Sequence, residues 1–272
     1  MKKIYLPLSL TVALVATAAM SPVLASDNQG LSIMQERKLR DTGWRSSEAT
    51  LAMHLTNAQG QTSTRNLRMK NLEVAGDGDK SLSIFDTPHD VQGTAFLSFS
   101  HVTGADDQWL YLPALKRVKR IASRNKSGPF MGSEFAYEDL SSFEVEKYRY
   151  QYLGEADIGG EKTWKIENIP TDQYSGYSKL ITWIDQQHYR VLKTEYYDRK
   201  SALLKTLTFS DYQAYEVKQE TGDENKRFWR ANLLAIENHQ TGKSTKLNFS
   251  EYRFDTGLTE ADFNKSKLKR AR

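Results

Sequence analysis

Apolar and polar residues alternate with a period of two over most of the chain from Thr50 onward, the repeat of strands whose two faces meet different surroundings. Leu51, Met53 and Leu55 alternate with small or polar neighbours. Residues 57–60 read as a turn, residues 62–69 resume the alternation, and Gly76-Asp77-Gly78-Asp79 reads as a second turn. Further strands are expected over 81–85, 94–100, 108–112 and 118–121, then over 145–153, 162–169, 178–185, 191–198, 203–215, 228–238 and 244–254. In the first of the later group, Tyr148, Tyr150 and Tyr152 fall on one face and Lys147, Arg149 and Gln151 on the other, as in a sheet with one buried side.

The period changes to that of a helix only at the two ends. Residues 30–40 carry a modest apolar stripe through Leu31 and Met34, with Asp27 or Asn28 as cap and Gly43 just past the end. Residues 259–268, opening Thr259-Glu260-Ala261-Asp262, predict a short closing helix. Eleven to thirteen strands without long intervening helices predict a mainly β protein, a curved antiparallel incomplete barrel with a few short covering helices. A membrane barrel fits poorly. Its strands need a continuous apolar outer face, whereas Lys193 with Glu195, and Lys205 with Asp211, put charge on the candidate outer faces.

Lys2 and Lys3 precede an apolar run from Ile4 to Ala19, and Val23-Leu24-Ala25 places small residues where a signal peptidase needs them. Residues 1–25 are therefore expected to be a cleaved signal peptide, with 26–272 a single periplasmic domain. No later segment approaches 18 consecutive apolar residues. The chain has no cysteine, so Ser26 cannot carry a lipoprotein anchor and no disulfide or thiolate metal site exists.

The mature segment is nearly neutral, and its basic character is confined to two clusters. One is Lys116, Arg117, Lys119, Arg120, Arg124 and Lys126; the other is Lys265, Lys267, Lys269, Arg270 and Arg272. In an exported protein they suit anionic headgroups or an acidic protein partner, and no nucleic acid. The loop between Ser123 and Glu134 sets Phe130 and Met131 among Gly128, Pro129 and Gly132. Two large apolar groups presented by such a loop predict a gate over something greasy.

Catalytic signatures are lacking. His54, His89, His101, His188 and His239 are scattered without metal-binding spacing, and no nucleophile elbow, P-loop or dinucleotide fingerprint occurs. Asp77-Gly78-Asp79 and Asp106-Asp107 lack the fuller calcium-loop pattern. The expectation is a protein that is not an enzyme and needs no cofactor.

Several motifs resemble the LolA-like family of outer membrane lipoprotein-sorting proteins. They are Phe85-Asp86-Thr87-Pro88-His89-Asp90-Val91-Gln92-Gly93-Thr94, the segment 107–121, the segment 130–140, Ser175-Gly176-Tyr177-Ser178-Lys179 with Thr182-Trp183-Ile184-Asp185, and residues 193–198, in this order. Taken together they are closer to the branch associated with RND-type transporters. The resemblance implies an incomplete barrel with helices as a lid over an apolar cavity, and carriage of acylated cargo across the periplasm. It also implies an RND-type inner-membrane transporter or an outer-membrane acceptor as partner. The alternative is an accessory docking protein of such a transporter. From the strand pattern, the cavity lining is expected at Met53, Leu55, Leu67, Met69, Phe96, Trp109, Tyr111 and Trp183, with Phe130 and Met131 as gate and the first basic cluster as the headgroup or partner contact.

Overall fold

The computed structural model describes residue 1, residues 22–219 and residues 225–271. Most of the expected signal segment, the tip of the polar hairpin at 218–226 and Arg272 lie outside the described residues. Helix α1 spans Pro22–Arg40, and the strands of the first half are β1 Ser46–Thr56, β2 Thr62–Leu72, β3 Lys80–Thr87, β4 Ala95–Phe99, β5 Asp107–Leu112 and β6 Arg117–Ile121. The second half holds β7 Tyr148–Ile158, β8 Glu161–Pro170, β9 Tyr177–Asp185, β10 Val191–Asp198, β11 Leu203–Lys218, β12 Asn225–Asn238 and β13 Ser244–Phe254.

All thirteen strands form one antiparallel sheet in the order β6, β5, β4, β3, β2, β1, β13, β12, β11, β10, β9, β8, β7. Short hairpins walk the chain from β1 out to the β6 edge. Residues 122–147 then cross the molecule to the opposite edge, and β7 to β13 walk back until β13 pairs with β1. The sheet is curved and does not close, because β6 and β7 remain its two free edges.

The register explains why one face is apolar. Met53 faces Leu247, Leu51 faces Leu67 and Phe249, and the row continues through Leu67 opposite Phe85 and Phe96 opposite Leu110. On the other side, Leu247 faces Leu234, Leu207 faces Ile236, and Ile166 faces Thr182. Since cross-strand partners share a face, these residues define an inner face, on which α1 and the crossover lie. The outer face of β3 to β5 has its own apolar patch of Leu82, Ile84, Leu97 and Trp109, covered by Phe263 and Leu268.

Both terminal elements differ from expectation. Helix α1 begins at Pro22 rather than near Gly30, so the expected cleavage point after Ala25 falls within the helix; a proline is tolerated in a first turn because its missing N–H has no intrahelical partner there. The closing segment is two 3-10 turns, Glu260–Asp262 and Lys265–Arg270, instead of one helix. Phe263 and Leu268 both insert into the outer-face patch, and Asn264, which caps the second turn by accepting from the Ser266 N–H, breaks the segment between them.

Candidate functional site

The crossover is held against the inner face at its middle. Lys205 on β11 and Asp139 are both about 4 % exposed, and Lys205 Nζ lies 2.5 Å from Asp139 Oδ2. Lys205 also donates to the Glu134 carbonyl at 2.9 Å, and Tyr177 donates its hydroxyl to Asp139 Oδ1 at 2.8 Å. Burial beside Asp139 holds the Tyr177 phenol well above its usual range, so it remains a donor. The Lys205 ammonium lies 5.2 Å and 5.0 Å from the ring centres of Tyr177 and Tyr196. Further on, Asn238 donates to Glu134 Oε2 at 2.6 Å and the Glu134 N–H donates to Thr245 Oγ1 at 3.0 Å.

This tether decides where the inner face is filled and where it is open. Phe130, Phe135, Tyr137 and Leu140 of the crossover pack onto the half formed by β1 to β5, with Phe130 5.8 Å from Phe85, 5.1 Å from Phe96 and 5.7 Å from Tyr137 between ring centres. The half formed by β8 to β12 is left with a cavity of about 550 Å³. Leu180, Tyr196, Leu207, Phe209 and Leu234 form its apolar floor, while Met34 and Arg37 of α1, Glu138, Asp139 and Phe143 of the crossover and Tyr148 of β7 roof it.

Charges ring the mouth. Lys126 pairs with Asp172 at 2.6 Å, and Lys147 pairs with Asp106. Glu138 accepts from the Ser175 hydroxyl and the Gly176 N–H, each at 2.8 Å, and burial raises its pKa. Desolvation lowers the pKa of Arg37, whose guanidinium stacks 4.2 Å above the Phe143 ring.

The expected lining is distributed over three places. Met53, Leu55, Leu67, Met69 and Phe96 face inward but are packed in the filled half together with Phe130 and Met131; none of these lines the cavity. Trp109 and Tyr111 belong to the outer-face patch, since the register that turns Leu110 inward turns its neighbours outward. Trp183 is also on the outer face, opposite Lys165 and Lys193, with the Lys193 ammonium 3.8 Å from its ring centre. The loop with Phe130 is not an exposed gate either: Phe130 is only 2 % exposed, folded inward because an aromatic slot waits beneath it, and only Met131 remains half-buried near the surface. The residues that sequence reasoning missed, Leu180, Leu207, Phe209 and Leu234, alternate within the later strands as clearly as those it chose. Nothing local distinguishes the two halves, because the crossover that fills one of them follows it in sequence, with Phe130 coming 34 residues after Phe96 and 45 after Phe85.

Of the first basic cluster, Lys116, Arg117, Lys119 and Arg124 are exposed, Arg120 pairs with Asp107 at 2.6 Å, and Lys126 is engaged at the cavity mouth instead of the surface. Three acids of the two expected turn pairs are engaged as well: Asp77 lies 2.8 Å from His101 Nδ1 and accepts from the Val102 N–H at 2.9 Å, Asp106 pairs with Lys147, and Asp107 pairs with Arg120. The two basic clusters, some 145 residues apart in sequence, meet in space: the turn Lys265–Arg270 packs against β4, β5 and β6, with Lys265 Nζ 5.4 Å from the Trp109 ring centre.

A curved, unclosed antiparallel sheet with a helix and a crossover on its inner face is the architecture of LolA-like proteins. A family model described as an uncharacterized protein matches residues 77–270. An outer membrane lipoprotein-sorting protein domain from Vibrio parahaemolyticus is 62% identical, with 90% of this chain and 100% of that chain covered and a TM-score of 0.85. A DUF1329 family protein from Desulfovibrio piger is 28% identical over 89% of this chain and 99% of its own, with a TM-score of 0.79. A LolA superfamily protein from Nitrosomonas europaea, 18% identical, shares the fold over 87% of this chain and 98% of its own, with a TM-score of 0.66. No curated protein matches the chain. The chain belongs to the LolA-like family of outer membrane lipoprotein-sorting proteins.

Proposed function

We propose that this protein is a non-enzymatic periplasmic carrier that takes the acyl chains of a lipid or lipoprotein into the inner-face cavity and conveys them toward the outer membrane. The observation that carries the reading is the cavity of about 550 Å³ with an apolar floor beneath a helix and a tethered crossover, within the range of a pre-formed small-ligand site. The kinship with a lipoprotein-sorting domain at 62% identity supports it. Burying a methylene is worth roughly 0.8 kcal/mol, so ten of them supply about 8 kcal/mol before association costs of at least about 4 kcal/mol. The balance is a reversible complex, as a carrier requires. Protein recovered from its native periplasm should release a hydrophobe identified by mass spectrometry, and the purified protein should bind a fluorescent fatty acid in saturable fashion. Lack of both would sink the proposal.

The convergence of the two basic clusters beside the free edge β6 favours a second reading, docking to an acidic surface of an RND-type transporter or acceptor. That reading and the first are compatible, since a carrier needs a place to unload. It predicts that charge reversal at Lys119 and Lys265 together slows delivery without weakening fatty-acid binding.

A further inference from the structure

A second, smaller pocket of about 320 Å³ adjoins the cavity and shares with it Arg37, Val191 and Phe209. The two differ in character. The charged groups of the smaller pocket are Arg37, Arg40, Arg190, Lys226, Arg227 and a lone acid, Asp41, whereas the larger one has the apolar floor. All of these cations but Arg37 have a polar partner. Arg40 pairs with Glu36 at 2.7 Å, Arg190 with Asp185 at 2.9 Å, and Arg227 with Glu216 at 3.1 Å. Lys226 donates to the Leu39 carbonyl at 2.9 Å, and Asp41 is claimed by Arg230 at 2.6 Å.

Arg37 stands at the junction with no carboxylate bridged to it among the described residues. Its guanidinium contact is the Phe143 ring at 4.2 Å, and desolvation acts on it more strongly than any nearby acid. A partly desolvated cation with no salt-bridged carboxylate is costly, and an anion received at this junction would offset that cost. The acids on the cavity side do not supply it: Asp106, Asp139 and Asp172 each have their own lysine, Glu138 is held by Ser175 and the Gly176 N–H, and Glu146 is exposed and is not among the groups acting on Arg37.

Resting on the carrier reading, we propose that Arg37 and the basic pocket beside it form a headgroup site, so that the ligand is an anionic amphiphile whose carboxylate or phosphate meets Arg37 while its tail lies over Leu207, Phe209 and Leu234. A guanidinium fork is suited to this, as it binds either oxyanion in bidentate fashion.

The test compares a dansyl-labelled undecanoic acid with its methyl ester, on the intact protein. The wild type is expected to bind the acid on the order of tenfold more tightly than the ester, the range of a hydrogen bond to a charged group. In Arg37→Gln the acid-to-ester ratio should fall to about one. Should that variant fail to fold, Arg37→Lys, which keeps the charge and loses the planar fork, should lower the ratio severalfold. An equal affinity for both probes in the wild type, or a ratio unchanged by these variants, would overturn the headgroup site while leaving the carrier reading intact. Binding of neither probe would overturn the carrier reading and this inference with it. Inorganic phosphate competing as well as the acid would overturn the amphiphile, because no tail would then be needed.

Discussion

Lys205 and Asp139 fix the crossover to the sheet through a nearly dry ion pair. Such a pair contributes little net stability against an apolar replacement, but removing one partner leaves the other buried and uncompensated, at about 3–5 kcal/mol. Lys205→Met should therefore lower the unfolding free energy by about 3 kcal/mol in urea titration, since Asp139 retains the Tyr177 hydroxyl and the Ala136 N–H; a change within error would mean the crossover is held by its aromatic residues alone. Phe130→Ala should be as severe, about 3–5 kcal/mol, because the ring is buried against Phe85 and Phe96. A third residue gives a pH dependence. Burial holds the Asp79 carboxyl up at about 7, against an ordinary value of 3.8. Folded protein thus keeps this proton when the unfolded chain has lost it, so the group lowers stability as pH rises from about 4 to about 7 and adds no further change above that. Asp79→Asn should remove the trend, and its stability relative to wild type should be greater at pH 8 than at pH 4, as read from denaturation midpoints at the two values.

Helix α1 meets β7 closely because Gly30 has no side chain: a Cβ there would come within 3.0 Å of the Tyr152 backbone nitrogen and 3.2 Å of the Gln151 carbonyl carbon. The other end of the helix is held by Lys38, 3.0 Å from the buried Glu144. Gly30→Leu would lift the roof at one end only. The expected result is a loss of about 1–3 kcal/mol from overpacking, together with faster exchange of a bound fluorescent fatty acid in stopped flow; unchanged exchange would separate α1 from cavity access. At this scale the sequence was readable where a rule is local. Each expected strand lies within a strand of the sheet or overlaps one, because period-two alternation reports a half-buried surface wherever it occurs. Residues 145–147 depart from their expected strand as a 3-10 turn, with Tyr150 OH bonding back to the Val145 carbonyl at 2.9 Å. Which face a residue takes was less readable: Trp109 and Trp183, expected on the cavity side, are carried to the outer face by their register beside Leu110 and Ile184.

Over the whole molecule, the proposed carriage depends on an asymmetry that no strand carries by itself. One sheet presents a continuous apolar inner face, and a single crossover fills the half under β1 to β5 while leaving the half over β8 to β12 open. Chemically similar residues therefore have opposite consequences according to what covers them. Phe209 is half-buried and lies on the cavity floor next to Leu207 and Leu234, so Phe209→Asp would place an unpaired charge where the proposed acyl chain would lie, at a cost of several kcal/mol to binding. Fatty-acid affinity should fall by about a hundredfold or more, as 1.4 kcal/mol is a factor of ten, and circular dichroism should report the β-sheet retained. Trp183, equally aromatic but covered by Lys193 and Lys165 on the outer face, supplies the control: Trp183→Ala should cost stability while leaving the affinity of the folded fraction unchanged. The reverse pattern, with Trp183 needed for uptake and Phe209 dispensable, would place the acyl chain outside the cavity and refute the carrier assignment of the inner face.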